Sequence, residues 1–556
     1  MAGFLKIIER ARQIIADRYR ITPVESAFAR HFRSLHHVSG DGPLILVQNT
    51  EDKFFYLLFG ELVTALRRHS ALRVDQYVSR SIPPDGFGSL RAFLRTRLHW
   101  NIFTDRKWQR LHSAFCDRLA WRATALHWPW REISYAWRAR RIWSRLASKD
   151  ELTNLEVDGV RVGDLVIDTY LRFNSAPEVK LADRALLSIL RQALKDVASA
   201  KAYFSKNRPA LFITSYTTYI QHGVAVRVAA NHGIRILAFG NLQEFGTEVT
   251  PDHLCHTKRD YTYHQDFLRL SDQDQRLGKA EQYLSARLSG AIDTATAYMK
   301  DSAYAVTVRD VPDSRQAVVV FMHDFFDSAN VYRNMVFADF WEWLKVTVDL
   351  LSQAGLTFLV KPHPNQSPES ARELDRFVRE NPGVRLISSK VTNAQLVAGG
   401  MICGVTAYGT VASELAFLGV PSICCSDNPF VSFDFCRTAR NRDQYADYLR
   451  TIPEFTPDKA MMRRQACIFD YMHNLNLDKD EKALRNAFVE AWMRTVDLHC
   501  GNEQDPARFF AYFDKITQNS AFQVLISQMC AQISVPNPIP QKHAKVIPAC
   551  SPMHRS

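Results

Sequence analysis

Short apolar runs alternate along this chain with longer stretches in which apolar residues recur every three or four positions. A short apolar run is typical of a buried strand, and the longer period is typical of a helix that buries one face. In the first half, the pattern predicts strand, helix and strand at 43–48, 54–68 and 72–78, and again at 210–214, 220–230 and 234–239. Such units predict a parallel sheet.

A second series of the same kind follows an irregular stretch at 302–314. Its predicted strands are 317–323, 356–360, 384–388, 400–406 and 421–425, and its predicted helices are 337–355 and 411–419. We therefore expect an α/β protein with two Rossmann-like domains that face a cleft.

The length of 556 residues exceeds what one hydrophobic core supports, which agrees with several domains. The expected division is an N-terminal domain at 1–305, a C-terminal nucleotide-sugar-binding domain at 306–450, C-terminal helices at 451–534 and a disordered tail at 535–556. Ten scattered cysteines without a CxxC pair indicate reduced thiols. The charged N-terminus lacks the apolar core of a signal peptide, so we expect a cytoplasmic protein.

A basic, tryptophan-rich helical insert is expected at about 90–146, inside the N-terminal domain. Residues 91–145 contain twelve arginines, one lysine and only three acidic residues, and they hold seven of the ten tryptophans. Three interpretations remain open: a helical subdomain with a solvated basic face, a surface that docks on anionic lipid, or a cleft for an anionic polymer. Nucleic acid is not expected, because no recognition motif accompanies the charge.

The sequence VKPHPNQ at 360–366 directly follows a predicted strand. Its two prolines prevent the strand from continuing and a helix from starting at once. His363 is therefore expected in a stiff loop at the carboxyl end of a strand, where ligands bind in open parallel sheets. A loop histidine with a purely structural hydrogen bond is the alternative.

The sequence CGVTAYGTVASELAFLGVPSICC at 403–425 predicts a strand, a turn at 406–410 and a helix. The hydroxyls of Thr406 and Thr410, together with free N–H groups at the helix start, are suited to bind a phosphate. Glu414, one turn inside the helix, is suited to accept hydrogen bonds from ribose. The alternative is a threonine N-cap with a solvated glutamate.

Together, these two motifs resemble the C-terminal half of GT-B glycosyltransferases. The resemblance is narrower to capsular and surface-polysaccharide transferases with an HP motif, which include capsule Kdo transferases and bacterial polysialyltransferases. It covers about 315–430 and includes the stretch FMHDFFDSANVYRNMVFADFWEWLKVTVDLL.

The resemblance implies a metal-independent transferase that uses a nucleotide-sugar, CMP-Kdo-like or a UDP-sugar, as a substrate and needs no cofactor. It would extend capsule or lipopolysaccharide at the inner face of the membrane, with a polysaccharide or glycolipid as acceptor. The implied donor-binding residues are Lys361, His363, Pro364, Asn365, Thr406, Tyr408, Gly409, Thr410 and Glu414.

A transferase also needs a base for the acceptor hydroxyl, and acidic or histidine side chains at strand ends are the candidates. Together with His363, the candidate catalytic residues are Glu51, Asp52, His323, Asp324 and Asp327. For each aspartate, capping of a helix is the alternative role.

Three other functions fit parts of the pattern. A UDP-sugar 2-epimerase would turn over its nucleotide-sugar without an acceptor, and a CDP-glycerol-type phosphotransferase would release a glycerol-phosphate product. A non-enzymatic membrane- or polysaccharide-binding protein on a degenerate GT-B scaffold would tolerate the loss of His363 or Glu414.

Overall fold

The structure is a computed structural model, and it describes residues 9, 20–35, 40–79, 102–123, 127–257, 262–291, 308–309, 311–495 and 505–534. The first series of elements is α1 (Pro23–Leu35), β1 (Leu44–Asn49), α2 (Lys53–His69), β2 (Arg73–Val78), α3 (Ile102–His112), β3 (Arg118–Arg122), α4 (Pro129–Trp143), α5 (Lys149–Thr153), β4 (Glu156–Val157), β5 (Val160–Arg161), α6 (Gly163–Asn174), α7 (Arg184–Phe204), β6 (Leu211–Thr214), α8 (Tyr219–Asn231), β7 (Ile236–Ala238), β8 (Thr247–Val249), α9 (Tyr263–Leu268) and α10 (Gln273–Leu288).

The second series is β9 (Val318–Phe321), α11 (Phe340–Gln353), β10 (Phe358–Lys361), α12 (Pro368–Glu380), α13 (Asn393–Ala398), β11 (Cys403–Val405), α14 (Val411–Phe417), β12 (Ser422–Cys424), β13 (Cys436–Thr438), α15 (Arg442–Arg450), a 3₁₀ helix (Ile452–Glu454), α16 (Lys459–Asp470), a π-helix (Tyr471–Leu475), α17 (Lys479–Thr495), α18 (Pro506–Thr517) and α19 (Ser520–Ile533).

The first sheet has six strands in the order β3-β2-β1-β6-β7-β8, and β8 is its antiparallel strand. Both faces of the sheet are covered, because successive residues of β1 enter two separate cores. Ile45 and Val47 pack on one side, whereas Leu44 and Leu46 pack on the other. A strand buried on both faces reads as a continuous apolar run, which is the pattern seen in the sequence.

The second sheet has five parallel strands in the order β10-β9-β11-β12-β13. It is also covered on both faces, with Val318 and Val320 of β9 on one side and Val319 and Phe321 on the other. The predicted α/β class with two Rossmann-like domains is therefore confirmed, and the arrangement is GT-B-like. The two domains contact each other, for example where Lys149 of the first donates to Asp339 of the second over 2.9 Å.

Two local predictions are wrong. Residues 384–388 form no strand, and Leu386 makes only a single parallel bridge to Val360. The segment expected to be a helical insert contains β3, which pairs with β2 at the sheet edge between α3 and α4. Residues 90–101 and 124–126 of that segment lie outside the described residues, as do the predicted tail and most of the N-terminal 20 residues.

The C-terminal helices return to the first domain. Phe488 of α17 and Phe513 of α18 contact Phe54 of α2, with ring centroids 5.5 and 5.8 Å apart. These helices thus complete one apolar core of the first sheet. Within the described part of the chain, no helix combines the length and the apolar character needed to cross a membrane.

Candidate functional site

The carboxyl ends of β9, β10 and β11 meet at the centre of the second sheet. β9 pairs with β10 on one side and with β11 on the other. The connections that follow β9 and β10 therefore run in opposite directions across the sheet. Ligands bind at such a switch point in open α/β sheets, because the loops diverge there and leave a crevice. His323 follows β9, His363 follows β10 and Thr406 follows β11. The structure therefore brings together three residues that the sequence placed in separate motifs.

His323 is fixed as a neutral imidazole. Its Nε2 lies 3.0 Å from the Thr406 hydroxyl oxygen, and its ring stacks on Phe340 with centroids 4.8 Å apart. Burial, with a contribution from nearby His363, lowers the pKa of His323 to about 3. A histidine with so low a pKa is neutral near pH 7, so it cannot act as a general acid. It also binds a proton too weakly to be a good general base. In this state, His323 serves as a positioned hydrogen-bonding group.

His363 has one ring nitrogen engaged by its own loop. Its Nδ1 accepts from the Asn365 N–H over 3.1 Å, and its carbonyl oxygen accepts from the Gln366 N–H over 3.1 Å. Because Nδ1 accepts, the neutral ring carries its proton on Nε2, which makes that atom a donor. Burial lowers the pKa of His363, and the negative charges of Asp327 and Asp324 oppose that effect. In the same loop, Pro364 is exposed.

Lys361 and Glu414 lie in a buried chain beneath these loops. The Lys361 ammonium donates to Asn393 Oδ1 over 2.8 Å, and Asn393 Nδ2 donates to Glu414 Oε2 over 2.9 Å. The two charged side chains are 7% and 4% exposed. Burial lowers the pKa of Lys361 to about 8, and the charge of Glu414 opposes this. These hydrogen bonds link β10 to α13 and α14. The expected contacts of Lys361 and Glu414 with a donor stay predictions.

The turn after β11 is shaped around Thr406. Its hydroxyl oxygen accepts from the Gly409 N–H over 3.3 Å. A Cβ at Gly409 would lie 2.8 Å from that oxygen, so the close approach requires glycine. The Tyr408 hydroxyl donates to the Ser328 carbonyl over 2.8 Å and so joins this turn to the loop after β9. Thr410 is exposed, and its side chain does not cap α14.

Two of the predicted base candidates accept hydrogen bonds from backbone N–H groups. Asp52 caps α2, because its Oδ1 accepts from the N–H groups of Phe54 and Phe55. Asp324 accepts from the Phe326 N–H and from the Ser367 N–H, over 2.9 and 2.7 Å. Asp52 thus has the helix-capping role that the sequence left as the alternative, whereas Asp324 joins the loop after β9 to the N-cap residue of α12, Ser367.

The other two carboxylates in that prediction differ in exposure. Glu51 is half-buried, and Asp327 is exposed. Asp327 Oδ1 accepts from the Ser328 N–H over 2.9 Å, and its charge reaches His363 and Tyr408. Asp327 is therefore the carboxylate that an incoming molecule can approach from the crevice.

The first domain contributes an acid that sequence reasoning missed. Asp168 of α6 is 1% exposed, and its Oδ1 accepts from Asn330 Nδ2 over 2.9 Å and from the Asn330 N–H over 3.3 Å. Burial raises the pKa of Asp168 to about 8, with Asp164 and Asp327 adding to the rise. The signal in the sequence was a carboxylate surrounded by apolar positions in VGDLVIDTYLRF.

Tyr219 is a second contribution from the first domain. It opens α8 with φ of 59°, a left-handed conformation that is uncommon for a bulky residue and clusters at functional sites. Burial raises the pKa of Tyr219, and the nearby negative charges of Asp327 and Asp168 raise it further. The carboxyl edge of the first sheet therefore faces the loop after β9.

The carboxyl end of β1 is filled by a neutral hydrogen-bond network. Gln48 Oε1 accepts from the Thr214 hydroxyl, the Ser215 N–H and the Ser215 hydroxyl, each over 2.8 Å. Gln48 Nε2 contacts His222, and burial lowers the pKa of His222 to about 3. Burial also lowers the pKa of neighbouring His256 to about 4. These polar groups are buried and bonded to one another, so they order the carboxyl end of β1.

A cavity of about 930 Å³ opens between the two domains on the side of β13. Arg161 and Asn154 line it from the first domain, and Asn334 and Arg440 line it from the second. Arg440 is paired with Asp427. The cavity is large enough for a nucleotide-sized molecule, in the range typical of ligand pockets.

No family model and no curated protein matches the sequence. Solved structures do match. A UDP-GlcNAc 2-epimerase from Neisseria meningitidis bound to UDP-GlcNAc is 8% identical over 77% of this chain and 97% of the other, with a TM-score of 0.21.

The calicheamicin glycosyltransferase CalG4 is 10% identical over 78% and 94%, with a TM-score of 0.22. TcCGT1 in complex with UDP is 11% identical over 88% and 100%, also with a TM-score of 0.22. Because these values are low, the GT-B-like architecture of this chain rests on its own two sheets and on the contacts between them.

Proposed function

We propose that the protein is a metal-independent glycosyltransferase that moves a sugar from a nucleotide-sugar to a growing bacterial surface polysaccharide, capsule or lipopolysaccharide. The observation that carries the proposal is the convergence of His323, His363 and Thr406 at the switch point of the second sheet, opposite Asp168 and Tyr219 of the first domain. The surface-polysaccharide acceptor rests on the resemblance of residues 315–430 to the HP-motif transferases.

In this proposal, the second domain binds the phosphate of the donor. His363 presents Nε2–H while its Nδ1 is held by the loop, and His323 lies close enough for the two rings to influence each other's charge. A phosphate placed between them favours the protonated form of each ring and so raises both pKa values. As the sugar leaves, the growing charge on phosphate is stabilised by these positioned donors. The donor is a CMP-Kdo-like or UDP-linked sugar.

Asp327 is assigned as the base. It is exposed at the crevice, whereas Asp52 and Asp324 have their oxygens engaged by backbone N–H groups. Asp168 is buried against Asn330, three residues after Asp327, and is assigned to position that loop.

Nucleotide binding by the full chain tests the donor site. Melting temperatures are measured with CMP, UDP, GDP and CDP for wild type, His363→Ala and the control His264→Ala, an exposed histidine on α9. Binding to the native state alone raises the melting temperature, by about 2.7 kcal/mol of stability at one hundred times Kd. We expect CMP or UDP to stabilise wild type and the control, and His363→Ala to need on the order of tenfold or more nucleotide.

Product analysis then tests the reaction. With CMP-Kdo or a UDP-sugar, transfer must depend on an added polysaccharide acceptor. Turnover of a UDP-sugar to its 2-epimer without acceptor, release of a glycerol-phosphate product from CDP-glycerol, or no stabilisation by any nucleotide would each overturn the proposal. Equal nucleotide affinity of His363→Ala and wild type would remove His363 from the site.

A further inference from the structure

Helix α4 exposes an unusual group of apolar side chains. Trp128, Trp130, Ile133 and Trp137 are 68, 66, 68 and 61% exposed. Among the described residues, nine large apolar side chains are exposed, and these four are the most exposed of them and lie within ten positions of each other. Monomeric soluble proteins rarely group such side chains on one surface unless it binds something. We call this surface, with the adjoining Arg140 and Arg141, the Trp–Arg face.

The geometry of the helix explains why the face is continuous. Trp130, Ile133 and Trp137 are spaced at i, i+3 and i+7, which places them on one side of α4. The opposite side buries Tyr135 and Ala139 in the core of the first domain. Trp130, Ile133 and Trp137 lie on the side of α4 away from that core and are largely exposed.

The exposed rings are ordered by local contacts. Trp128 stacks parallel to Trp130, with centroids 5.4 Å apart and planes 5° from parallel. The Arg141 guanidinium lies 5.4 Å from the centre of the Trp137 ring. The face is thus preorganised, so binding sacrifices little side-chain freedom.

The charge of this surface is positive. Arg131, Arg140, Arg141 and Arg145 are exposed. The acidic residue of α4, Glu132, points inward instead, where its carboxylate pairs with Lys195 and Arg191 over 2.8 Å each. Positive charge and indole rings therefore share one surface. Glu132, whose negative charge would repel an anion, is paired in the interior.

We propose that the Trp–Arg face docks the protein on an anionic lipid bilayer, with α4 lying in the headgroup layer. Indole rings favour the boundary between headgroups and acyl chains, and arginines bind the phosphates of the same layer. A second copy of this chain fits poorly, because the arginines of the two copies would face each other. A soluble polyanion would use the arginines but leave three indoles in water. The proposal does not depend on the transferase reaction.

Flotation of the full chain with vesicles tests this. Phosphatidylcholine vesicles with and without about 30% phosphatidylglycerol are compared at about 0.05 and 0.5 M salt, since salt shortens the range of charge attraction. Each arginine near an anionic surface contributes about fivefold to partitioning. We expect binding to the anionic vesicles at low salt, weaker binding at high salt, and little binding to neutral vesicles.

Variants separate the apolar from the electrostatic part. Arg140→Glu with Arg141→Glu should weaken binding by about 25-fold or more. Trp130→Ala with Trp137→Ala should also weaken it, because the two indoles no longer enter the headgroup layer. Arg138 is left unchanged because it pairs with Asp158. The controls are Leu268→Ala, exposed on α9, and Arg379→Glu, exposed on α12. Melting temperatures and nucleotide binding should match wild type in all variants.

Several outcomes overturn the proposal. These are equal binding to neutral and anionic vesicles, no binding to either, or binding that survives both double variants. If the protein binds heparin as tightly as the vesicles, and the tryptophan variant binds heparin as well as wild type does, the Trp–Arg face binds a soluble polyanion instead. Self-association that the tryptophan variant abolishes would identify a second copy as the partner.

Discussion

Replacing Asp168 by Asn should remove a pH dependence from the stability of the folded protein. Burial raises the pKa of Asp168 from its usual value of 3.8 to about 8. Between these two values, the unfolded chain is ionised at this position while the folded protein keeps its proton. The folded state then binds more protons, so the free energy of unfolding decreases as pH rises.

The size of the effect follows from the same two values. Within the window, the loss is about 1.4 kcal/mol per pH unit, and it levels off above the folded pKa. Between pH 6 and pH 8, the contribution of Asp168 should therefore fall by about 2 kcal/mol. Asn has the same shape and can accept the two hydrogen bonds from Asn330, but it does not titrate.

Urea unfolding at pH 6, 7 and 8 provides the measurement. The free energy of unfolding of Asp168→Asn, relative to wild type, should rise by about 2 kcal/mol between pH 6 and pH 8. Asp274→Asn, an exposed position on α10, serves as the matched control and should run parallel to wild type. If wild type and Asp168→Asn lose stability in parallel, the carboxylate is already ionised in the folded protein, and the reasoning from burial is refuted.

Three further substitutions and one binding measurement probe the donor side. His363→Ala should nearly abolish transfer in a labelled-sugar assay and lower the melting temperature only slightly, because the loop loses the hydrogen bond from the Asn365 N–H; activity within a few-fold of wild type would contradict its role. Glu414→Gln should weaken nucleotide binding about tenfold by calorimetry, since hydrogen bonds to a charged group contribute about 1.5–3 kcal/mol; unchanged affinity would remove Glu414 from the site. Thr406→Val should destabilise the fold by about 1–3 kcal/mol in urea, because it leaves His323 Nε2 without its partner, and Thr406→Ser should restore the loss. Nucleotide binding at pH 7 should take up protons at His323 or His363, which calorimetry in buffers of different ionisation enthalpy detects; zero uptake would contradict a phosphate between the two rings.

The sequence predicted four of the five strands of the second sheet, because these four are short apolar runs that end at residues unable to continue them, but it did not predict β13. Val318–Phe321 and Phe358–Lys361 lie within or next to the predicted runs, and the prolines beside His363 correctly indicated a loop. Residues 384–388 show the limit of this reasoning. Leu386 sits in an apolar run, but it pairs with Val360 at one bridge only, so no ladder extends the sheet there. Pairing with a neighbour, which decides whether a run becomes a strand, is not encoded in the run itself.

The roles of the acidic residues could be predicted less well. Asp52 and Asp324 follow strands, as a catalytic base would, yet both accept backbone N–H groups. That choice depends on local backbone directions that spacing does not reveal. Asp168 was missed for another reason: its partner Asn330 is 162 positions away and belongs to the other domain. Only the packing of one domain on the other makes this carboxylate part of the site.

Burial shifts the pKa values of three histidines and of Asp168 at this interface in a consistent way. The pKa values of His323, His363 and His222 are lowered, while that of Asp168 is raised. Each shift favours the neutral form, because an unpaired charge away from water is costly. An anionic phosphate opposes this preference for the histidines, since its negative charge stabilises an imidazolium that burial had deprived of water. Under the proposed function, the donor itself therefore brings the charge that protonates the groups stabilising its departure.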